Sequence, residues 1–248
     1  MVRRKLVAGN WKMNGDRAAL AELDGIAAAA RAHRHVDVAV AVPFTLIERA
    51  AERVPDLAIG AQDIHEAEKG AHTGCVSASQ VREAGARFVI VGHSERRGDQ
   101  GETSHDAWAK SAAAHRHGLN VILCCGETEA ERDAGRAERV VQAQVEKSLP
   151  DDADGSWLTL AYEPRWAIGT GRTPTLDEIA AIHAIARAKM RHMIGDKADA
   201  IRILYGGSVT GDNAAAILGV ENVDGALVGG ASLTSEKFVP IVTGAAGA

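Results

Sequence analysis

The sequence predicts an α/β protein: a single (β/α)8 barrel of eight parallel strands ringed by helices, spanning residues 1–248. Short apolar runs alternate with longer helical segments eight times along the chain. The runs are nearly continuous in Val, Ile, Leu and Ala, as in parallel strands that are covered on both faces. The length of 248 residues suits one such barrel, and no linker-like stretch divides it. An open doubly wound sheet shares most of this pattern and stays an alternative.

The apolar runs give the predicted strands in chain order. They are Lys5–Ala8, Val36–Val42, Leu57–Ala61, Phe88–Gly92, Asn120–Cys124, Trp157–Tyr162, Ile201–Tyr205 and Gly225–Val228.

Helix start and stop signals lie between the strands. Asp16 is placed to cap an Ala-rich helix that runs to about His33. Thr175 and Glu178 have capping-box spacing, which predicts a helix from there to about Ile194. Glycines that suit helix C-termini are Gly85, Gly118 and Gly195. The small residues 244–248 are expected to form a frayed tail.

Composition excludes several classes of function. The net charge is −5 and the chain is 46% apolar, so neither nucleic acid nor a membrane surface is an expected partner. The basic stretch Arg3–Lys5 precedes an apolar run that Asn10 and Lys12 interrupt, so no signal peptide is predicted. We expect a cytoplasmic protein.

The cysteines argue against a disulfide framework and a metal centre. There are three of them, Cys75, Cys124 and Cys125, and they lack CxxC spacing. An odd number without such spacing favours a reducing compartment. We expect no metal and no organic cofactor.

In a barrel of this kind the chemistry lies at the carboxyl ends of the strands. Asn10 and Lys12 follow the first run; in an extended segment both side chains would point into the mouth, as a neutral donor and a fixed cation. His93 follows the fourth run at a helix start, where the helix dipole is expected to lower its pKa and keep it neutral. A surface lysine and a structural histidine are the simpler interpretations of these positions.

The sixth run ends at a single carboxylate. Glu163 is followed by Pro164 and then by the small-residue loop 167–171, an arrangement that suits a general base beneath a closing lid. A solvated glutamate on a surface loop is the plainer alternative. Two Gly-Gly pairs, Gly206-Gly207 and Gly229-Gly230, end the last two runs, where this architecture holds a phosphate through backbone N–H groups.

Taken together, these motifs resemble the triosephosphate isomerase family over essentially the whole chain. The matching segments are GNWKMN, VIVGHSERR, LCCGE, AYEPxWAIGTG, YGGSV and DGALVGGASL, in this order. The resemblance implies a TIM barrel and an isomerase that interconverts dihydroxyacetone phosphate and D-glyceraldehyde 3-phosphate. It also implies a homodimer in which Thr73 reaches the neighbouring subunit's site.

The resemblance assigns roles to the residues already singled out. Glu163 is the base, His93 the neutral electrophile, Lys12 the stabiliser of negative charge and Asn10 a further donor, while Glu95 orients Lys12 or the proton network. The residues expected to hold the phosphate are Gly169, Ser208, Gly229 and Gly230. The expected lid is the loop 164–174.

The chain also departs from the family pattern. Arg165 follows the lid proline where an apolar residue is usual, and Pro174 removes a backbone N–H at the far hinge. Cys75 stands in place of a common Glu, so Arg96 loses an expected partner across the dimer. Asp99 and Gln100 replace a usual aromatic pair and weaken the expected dimer.

Three rival functions remain. An isomerase of a four-carbon ketose phosphate would use the same catalytic residues and differ only in the shape of its pocket. A Schiff-base aldolase needs a lysine at an inner strand end, where this chain has Glu163. A catalytically silent phosphosugar-binding barrel would be expected to lose Lys12, His93 or Glu163, and all three are present.

Overall fold

The computed structural model describes residues 3–167 and 172–248. Its eight strands confirm the eight predicted runs, with ends that differ by at most two residues. The strands are β1 Leu6–Asn10, β2 Asp37–Ala41, β3 Ala58–Ala61, β4 Phe88–Val91, β5 Asn120–Cys125, β6 Leu158–Tyr162, β7 Arg202–Tyr205 and β8 Gly225–Val228.

The strands form a closed parallel barrel in chain order, from β1 round to β8. The closing pair sets Leu6 of β1 beside Gly225 of β8. Closure excludes the open doubly wound sheet, because an open sheet leaves two edge strands without a neighbour.

Helices surround the barrel in the described residues. The α-helices are α1 Glu22–Ala32, α2 Ile47–Arg53, α3 Ala78–Glu83, α4 Ser94–Asp99, α5 Ser104–Arg116, α6 Glu129–Asp133, α7 Ala137–Ser148, α8 Leu176–Ile194, α9 Ala214–Leu218 and α10 Ser235–Ala246. Short 3-10 helices lie at Ala19–Ala21, Phe44–Leu46, Arg165–Ala167, Gly195–Ala200 and Gly230–Ser232.

Local hydrogen bonds explain where the helices begin and end. The Asp16 carboxylate accepts the N–H groups of Ala18 and Ala19, which starts the turn that leads into α1. Thr175 and Glu178 form the predicted capping box, a feature that typically stabilises a helix by about 1 kcal/mol. The helix ends at Gly195, whose φ of 63° is a conformation that glycine adopts without a steric penalty.

The alternation of side chains along each strand divides the core into two parts. In β4, Val89 and Val91 face outward and pack beneath the helices. Phe88 and Ile90 face inward and fill the barrel interior. Inward side chains recur at every second residue, and the carboxyl ends of all eight parallel strands meet at one mouth of the barrel. Polar side chains at these strand ends therefore lie close together.

The expectation of a frayed tail is wrong for residues 244–246. Helix α10 continues to Ala246, and Ala245 is buried at 2% exposure. Gly244 packs closely on α9, since a Cβ at that position would lie 2.9 Å from the Ala214 Cβ. This contact against a neighbouring helix holds the end of the chain in place.

Candidate active site

A cavity of about 320 Å³ lies at the carboxyl ends of the strands. It brings together most of the residues that the sequence singled out: Asn10, Lys12, His93, Glu163, Ser208, Gly229 and Gly230. Glu95 joins them through a contact with Lys12. Gly169 lies outside the described residues.

Lys12 reaches the cavity in a different way from the one predicted. The strand ends at Asn10, and Lys12 has a φ of 53° instead of an extended conformation. The left-handed region is uncommon for residues other than glycine and often marks a functional site. The side chain of Asn10, itself only 4% exposed, accepts the Lys12 N–H at 2.9 Å and stabilises this turn.

Two contacts lie at the far end of the Lys12 side chain. Its Nζ lies 2.5 Å from Oε1 of Glu95. Its stem packs against Gly229, where an added Cβ would lie 3.3 Å from the Lys12 Cε. Glu95 therefore lies in direct contact with this ammonium group.

Glu163 is the first residue after β6 and is 2% exposed. Its Oε1 lies 2.9 Å from Nε2 of His93, and its Oε2 accepts the N–H of Ser94 at 2.9 Å. Burial by itself favours the neutral acid, but His93, the Ser94 N–H and Lys12 together hold the pKa of Glu163 below its ordinary value. The carboxylate is therefore ionised at neutral pH.

Gly206 provides the room for this carboxylate. A Cβ on Gly206 would lie 2.8 Å from the Glu163 Cγ. Any larger residue at the end of β7 would push the Glu163 side chain out of position.

His93 is the N-cap of α4, and its Nδ1 accepts the N–H of Glu95 at 3.3 Å. In the neutral ring the proton then lies on Nε2, which points at Glu163. Burial disfavours the charged ring, but the Glu163 carboxylate, assisted by Glu95, raises the pKa of His93. The sequence predicted a lowered pKa, and this direction was wrong because the nearby carboxylates outweigh burial and the dipole of a short helix.

The part of the cavity wall around Gly229 and Gly230 offers backbone N–H groups. A 3-10 helix begins at Gly230, and the first N–H groups of a helix have no partner within it. Ser208 lies beside this helix start, and its hydroxyl donates to the carbonyl of Ala167 at 3.1 Å. This wall is suited to an anion.

The described start of the expected lid is tied to a buried carboxylate. Glu127 is fully buried and accepts hydrogen bonds from Trp166 Nε1 at 2.8 Å and the Tyr162 hydroxyl at 3.1 Å. Its carbonyl also accepts the N–H of Arg165. The middle of the lid, residues 168–171, lies outside the described residues.

Arg96 is compensated within its own chain. Its guanidinium contacts Asp63 at 2.8 Å and Glu102 at 2.7 Å, and Lys110 contacts the same two carboxylates at 2.7 and 2.6 Å. Glu102 also accepts the N–H of Gly92 at 2.7 Å. This charge-balanced quartet thereby fixes the residue that precedes His93.

Sequence analysis missed several groups that shape the site. Cys124 lies inside the barrel, where burial raises its pKa and the neighbouring Glu163 carboxylate raises it further. The Ser94 N–H and the carboxylate of Glu127 were also missed. Period-2 alternation along β5 indicates that Cys124 points inward. A backbone N–H such as that of Ser94 cannot be recognised from the sequence, because every residue except proline has one.

Two further kinds of feature concern the described residues as a whole, a metal-binding cluster and a membrane-spanning helix. Within residues 3–167 and 172–248, no group of three or more His, Cys, Asp or Glu side chains is arranged to hold a metal ion. Over the same ranges, no helix is both long enough and apolar enough to span a bilayer.

Comparisons with known proteins agree with this geometry. The family model described as "Triosephosphate isomerase" matches residues 5–245. A triosephosphate isomerase of Ruegeria sp. (strain TM1040) is 53% identical over 239 residues, covering 96% of this chain and 97% of the relative. One from Xanthobacter flavus is 54% identical over 241 residues, covering 96% of each.

A solved structure extends the agreement to the fold. The crystal structure of triosephosphate isomerase from Bartonella henselae superposes with a TM-score of 0.91 at 41% identity, covering 97% of this chain and 98% of the other. The similarity covers both sequence and structure over nearly the full length. The chain therefore belongs to the triosephosphate isomerase family.

Proposed function

We propose that this chain interconverts dihydroxyacetone phosphate and D-glyceraldehyde 3-phosphate through an enediolate intermediate. The reaction moves a proton between adjacent carbons, so it requires a base and stabilisation of negative charge on oxygen. One observation carries the proposal: a buried carboxylate, an imidazole Nε2 and an ammonium group converge in one cavity that has an anion-binding wall.

Glu163 acts as the base. It takes a proton from the carbon next to the carbonyl and returns it to the neighbouring carbon. Its lowered pKa supports this role, because the carboxylate is ionised at neutral pH. Both of its oxygens are hydrogen-bonded in this structure, so the substrate has to release them from His93 and Ser94 before proton transfer.

His93 and Lys12 stabilise the enediolate. The Nε2–H of His93 donates to the substrate oxygens and transfers protons between them. The Lys12 ammonium, positioned by Glu95, attracts the negative charge that develops on the oxygen, and Asn10 contributes one more polar group. Removing one oriented donor of this kind costs about 3–4 kcal/mol of activation free energy.

The phosphate binds at the wall formed by Ser208, Gly229 and Gly230. The N–H groups of Gly229 and Gly230 and the hydroxyl of Ser208 supply its donors, and Gly169 is expected to add another. The Ser208 hydroxyl first has to leave the carbonyl of Ala167, so phosphate binding and rearrangement of the lid are linked. The lid then excludes water from the enediolate.

The test is a coupled dehydrogenase assay of purified protein with D-glyceraldehyde 3-phosphate. We expect rapid turnover in the wild type and a loss of about 10²–10⁴-fold in Glu163→Gln, the range for a missing general base. Glu163→Asp withdraws the carboxylate by about 1 Å and is expected to lose on the order of 10²-fold. Glu83→Gln, an exposed glutamate on α3, is the matched control. Full turnover in Glu163→Gln would exclude Glu163 as the base.

We further propose that two copies of the chain assemble as a dimer around the loop 70–74. Thr73 is exposed at its tip. Met13, next to Lys12, is 97% exposed, and Phe44 is 41% exposed, which leaves apolar surface to be covered. Sedimentation at micromolar concentration should give a dimer, and Thr73→Arg should shift it towards monomer. A wild type that is purely monomeric under these conditions contradicts the proposal.

A further inference from the structure

A second cavity, of about 350 Å³, opens at the amino-terminal mouth of the barrel. Its walls share no residue with the catalytic cavity at the other end. The inner wall includes inward side chains near the amino ends of the strands: Leu6, Ala39, Ala58, Phe88, Ile122 and Thr159.

The cavity exists because small side chains leave part of the barrel interior unfilled on one side. Barrel interiors of this class are usually packed with bulky branched residues. Here β2 and β3 contribute Ala39 and Ala58, and the next inward position of β3 is Gly60. The ring of Phe88 occupies the space beside Gly60, where a Cβ would lie 2.5 Å from the ring. A flat aromatic face therefore forms part of the wall.

The hydroxyl of Thr159 also faces this cavity. Thr159 is 5% exposed and lies on the same face of β6 as Ala161, which is part of the barrel interior. Its hydroxyl forms no hydrogen bond with any residue that the structure describes. The hydroxyl oxygen is not among the buried polar atoms that lack a partner, so it is accessible from the cavity and offers a donor and an acceptor to a ligand.

The cavity lining carries three arginines and two aspartates, although the chain as a whole is acidic: Arg4, Arg87, Arg202, Asp37 and Asp56. Arg4 and Arg202 share one carboxylate, that of Asp37, at 3.0 and 2.7 Å. Arg87 donates to the carbonyl of Pro55 at 2.6 Å and has no carboxylate within 4.0 Å in the described part of the chain. Arginine is well suited to bind an organic anion at such a rim.

We propose that this cavity binds a small aromatic carboxylate that carries a polar group at its far end. The ring packs between Phe88, Ile122 and Ala58, the carboxylate meets Arg87 at the rim, and the far polar group pairs with the hydroxyl of Thr159. Because a ligand that binds only the folded barrel stabilises it, the site raises the midpoint of thermal unfolding. It does so without competing with a ligand in the catalytic cavity.

The first test compares 4-hydroxybenzoate with benzoate as probes, using ligand-observed NMR and thermal unfolding of the full chain. Each measurement is made without and then with inorganic phosphate, which is added to occupy the catalytic cavity. We expect 4-hydroxybenzoate to bind more tightly than benzoate in the wild type. Thr159→Val, which keeps the shape but removes the hydroxyl, should abolish this preference.

Two further variants test the wall and the rim. Ala58→Leu fills the cavity and should lower the affinity for both probes by at least about tenfold, a factor equivalent to about 1.4 kcal/mol. Arg87→Gln should weaken the binding of both probes by the same factor. Arg82→Gln removes an exposed arginine of α3 outside the cavity and should change nothing. Isomerase assays of each variant verify that the barrel is folded.

Several results would overturn the proposal. One is the absence of binding at millimolar probe concentrations. Another is an unchanged affinity in Ala58→Leu, and a third is displacement of the probe by phosphate, which would assign the signal to the catalytic cavity. A preference for 4-hydroxybenzoate that persists in Thr159→Val would remove the proposed role of the hydroxyl.

Discussion

We predict that His183 makes the free energy of unfolding of this barrel decrease in acid. The side chain lies on α8, is fully buried, and donates from Nδ1 to the carbonyl of Asn222 at 2.9 Å. Its Nε2 has no hydrogen-bond partner among the described residues, and its ring meets Tyr162 edge-on at 5.9 Å. Burial lowers the pKa of His183 from 6.5 to about 4.

The sign of the effect follows from proton binding in the two states. As the pH falls below 6.5, His183 of the unfolded chain takes up a proton while the folded chain excludes it. The free energy of unfolding therefore falls by up to about 1.4 kcal/mol per pH unit over this window. Between pH 6.5 and the folded pKa of about 4, the loss amounts to about 3 kcal/mol from this residue.

The assay is urea unfolding of wild type and His183→Asn at fixed protein concentration, from pH 4 to pH 7.5. Asparagine keeps an N–H donor near the position of Nδ1 but cannot be charged. The variant is expected to be less stable at neutral pH, because the smaller side chain leaves a cavity, and to lose less stability on acidification. His192→Asn, at the exposed end of the same helix, is the control. An identical pH dependence in wild type and His183→Asn would refute the reasoning.

Three further predictions concern residues at the carboxyl ends of the strands. Glu163→Gln removes the charge that raises the pKa of His93, so the histidine should titrate at lower pH by ¹⁵N NMR; an unchanged pKa would mean that the carboxylate does not control it. Gly206→Ala would bring a Cβ to 2.8 Å from the Glu163 Cγ and should reduce kcat by about 10²-fold. Full activity would show that the backbone at residue 206 shifts to make room for the methyl group. The buried Tyr205 hydroxyl has no partner in the described residues, so Tyr205→Phe should leave the free energy of unfolding unchanged or raise it by about 1 kcal/mol; a clear loss of stability would reveal a bond to that hydroxyl.

Much of the fold could be predicted from the sequence because the strands are buried on both faces. Such strands are continuous apolar runs, and their ends could be located to within two residues. The capping box at Thr175 was predictable for a similar reason, since it depends on residues three positions apart. Local chemistry of this kind is visible in one sequence.

Other features depend on contacts between distant segments and could not be predicted. The direction of the His93 pKa shift follows from Glu163, which is 70 positions away in the chain, at 2.9 Å. The left-handed turn at Lys12 depends on its hydrogen bond with Asn10 and on the space beside Gly229. The cavity at the amino-terminal mouth depends on how small residues from separate strands meet. Spacing along one segment gives no information on any of these.

The quartet around Arg96 has a consequence for how the loop 70–75 can vary. Asp63 and Glu102 balance Arg96 and Lys110 within one subunit, so residue 75 of another copy is not needed to compensate the guanidinium. Substitution at Cys75 therefore leaves no half-buried cation without a counter-charge. The surface of the loop can change while the backbone that carries His93 keeps its support. The proposed dimer is therefore expected to be insensitive to added salt at this face, because it does not depend on an ion pair of Arg96 with another copy.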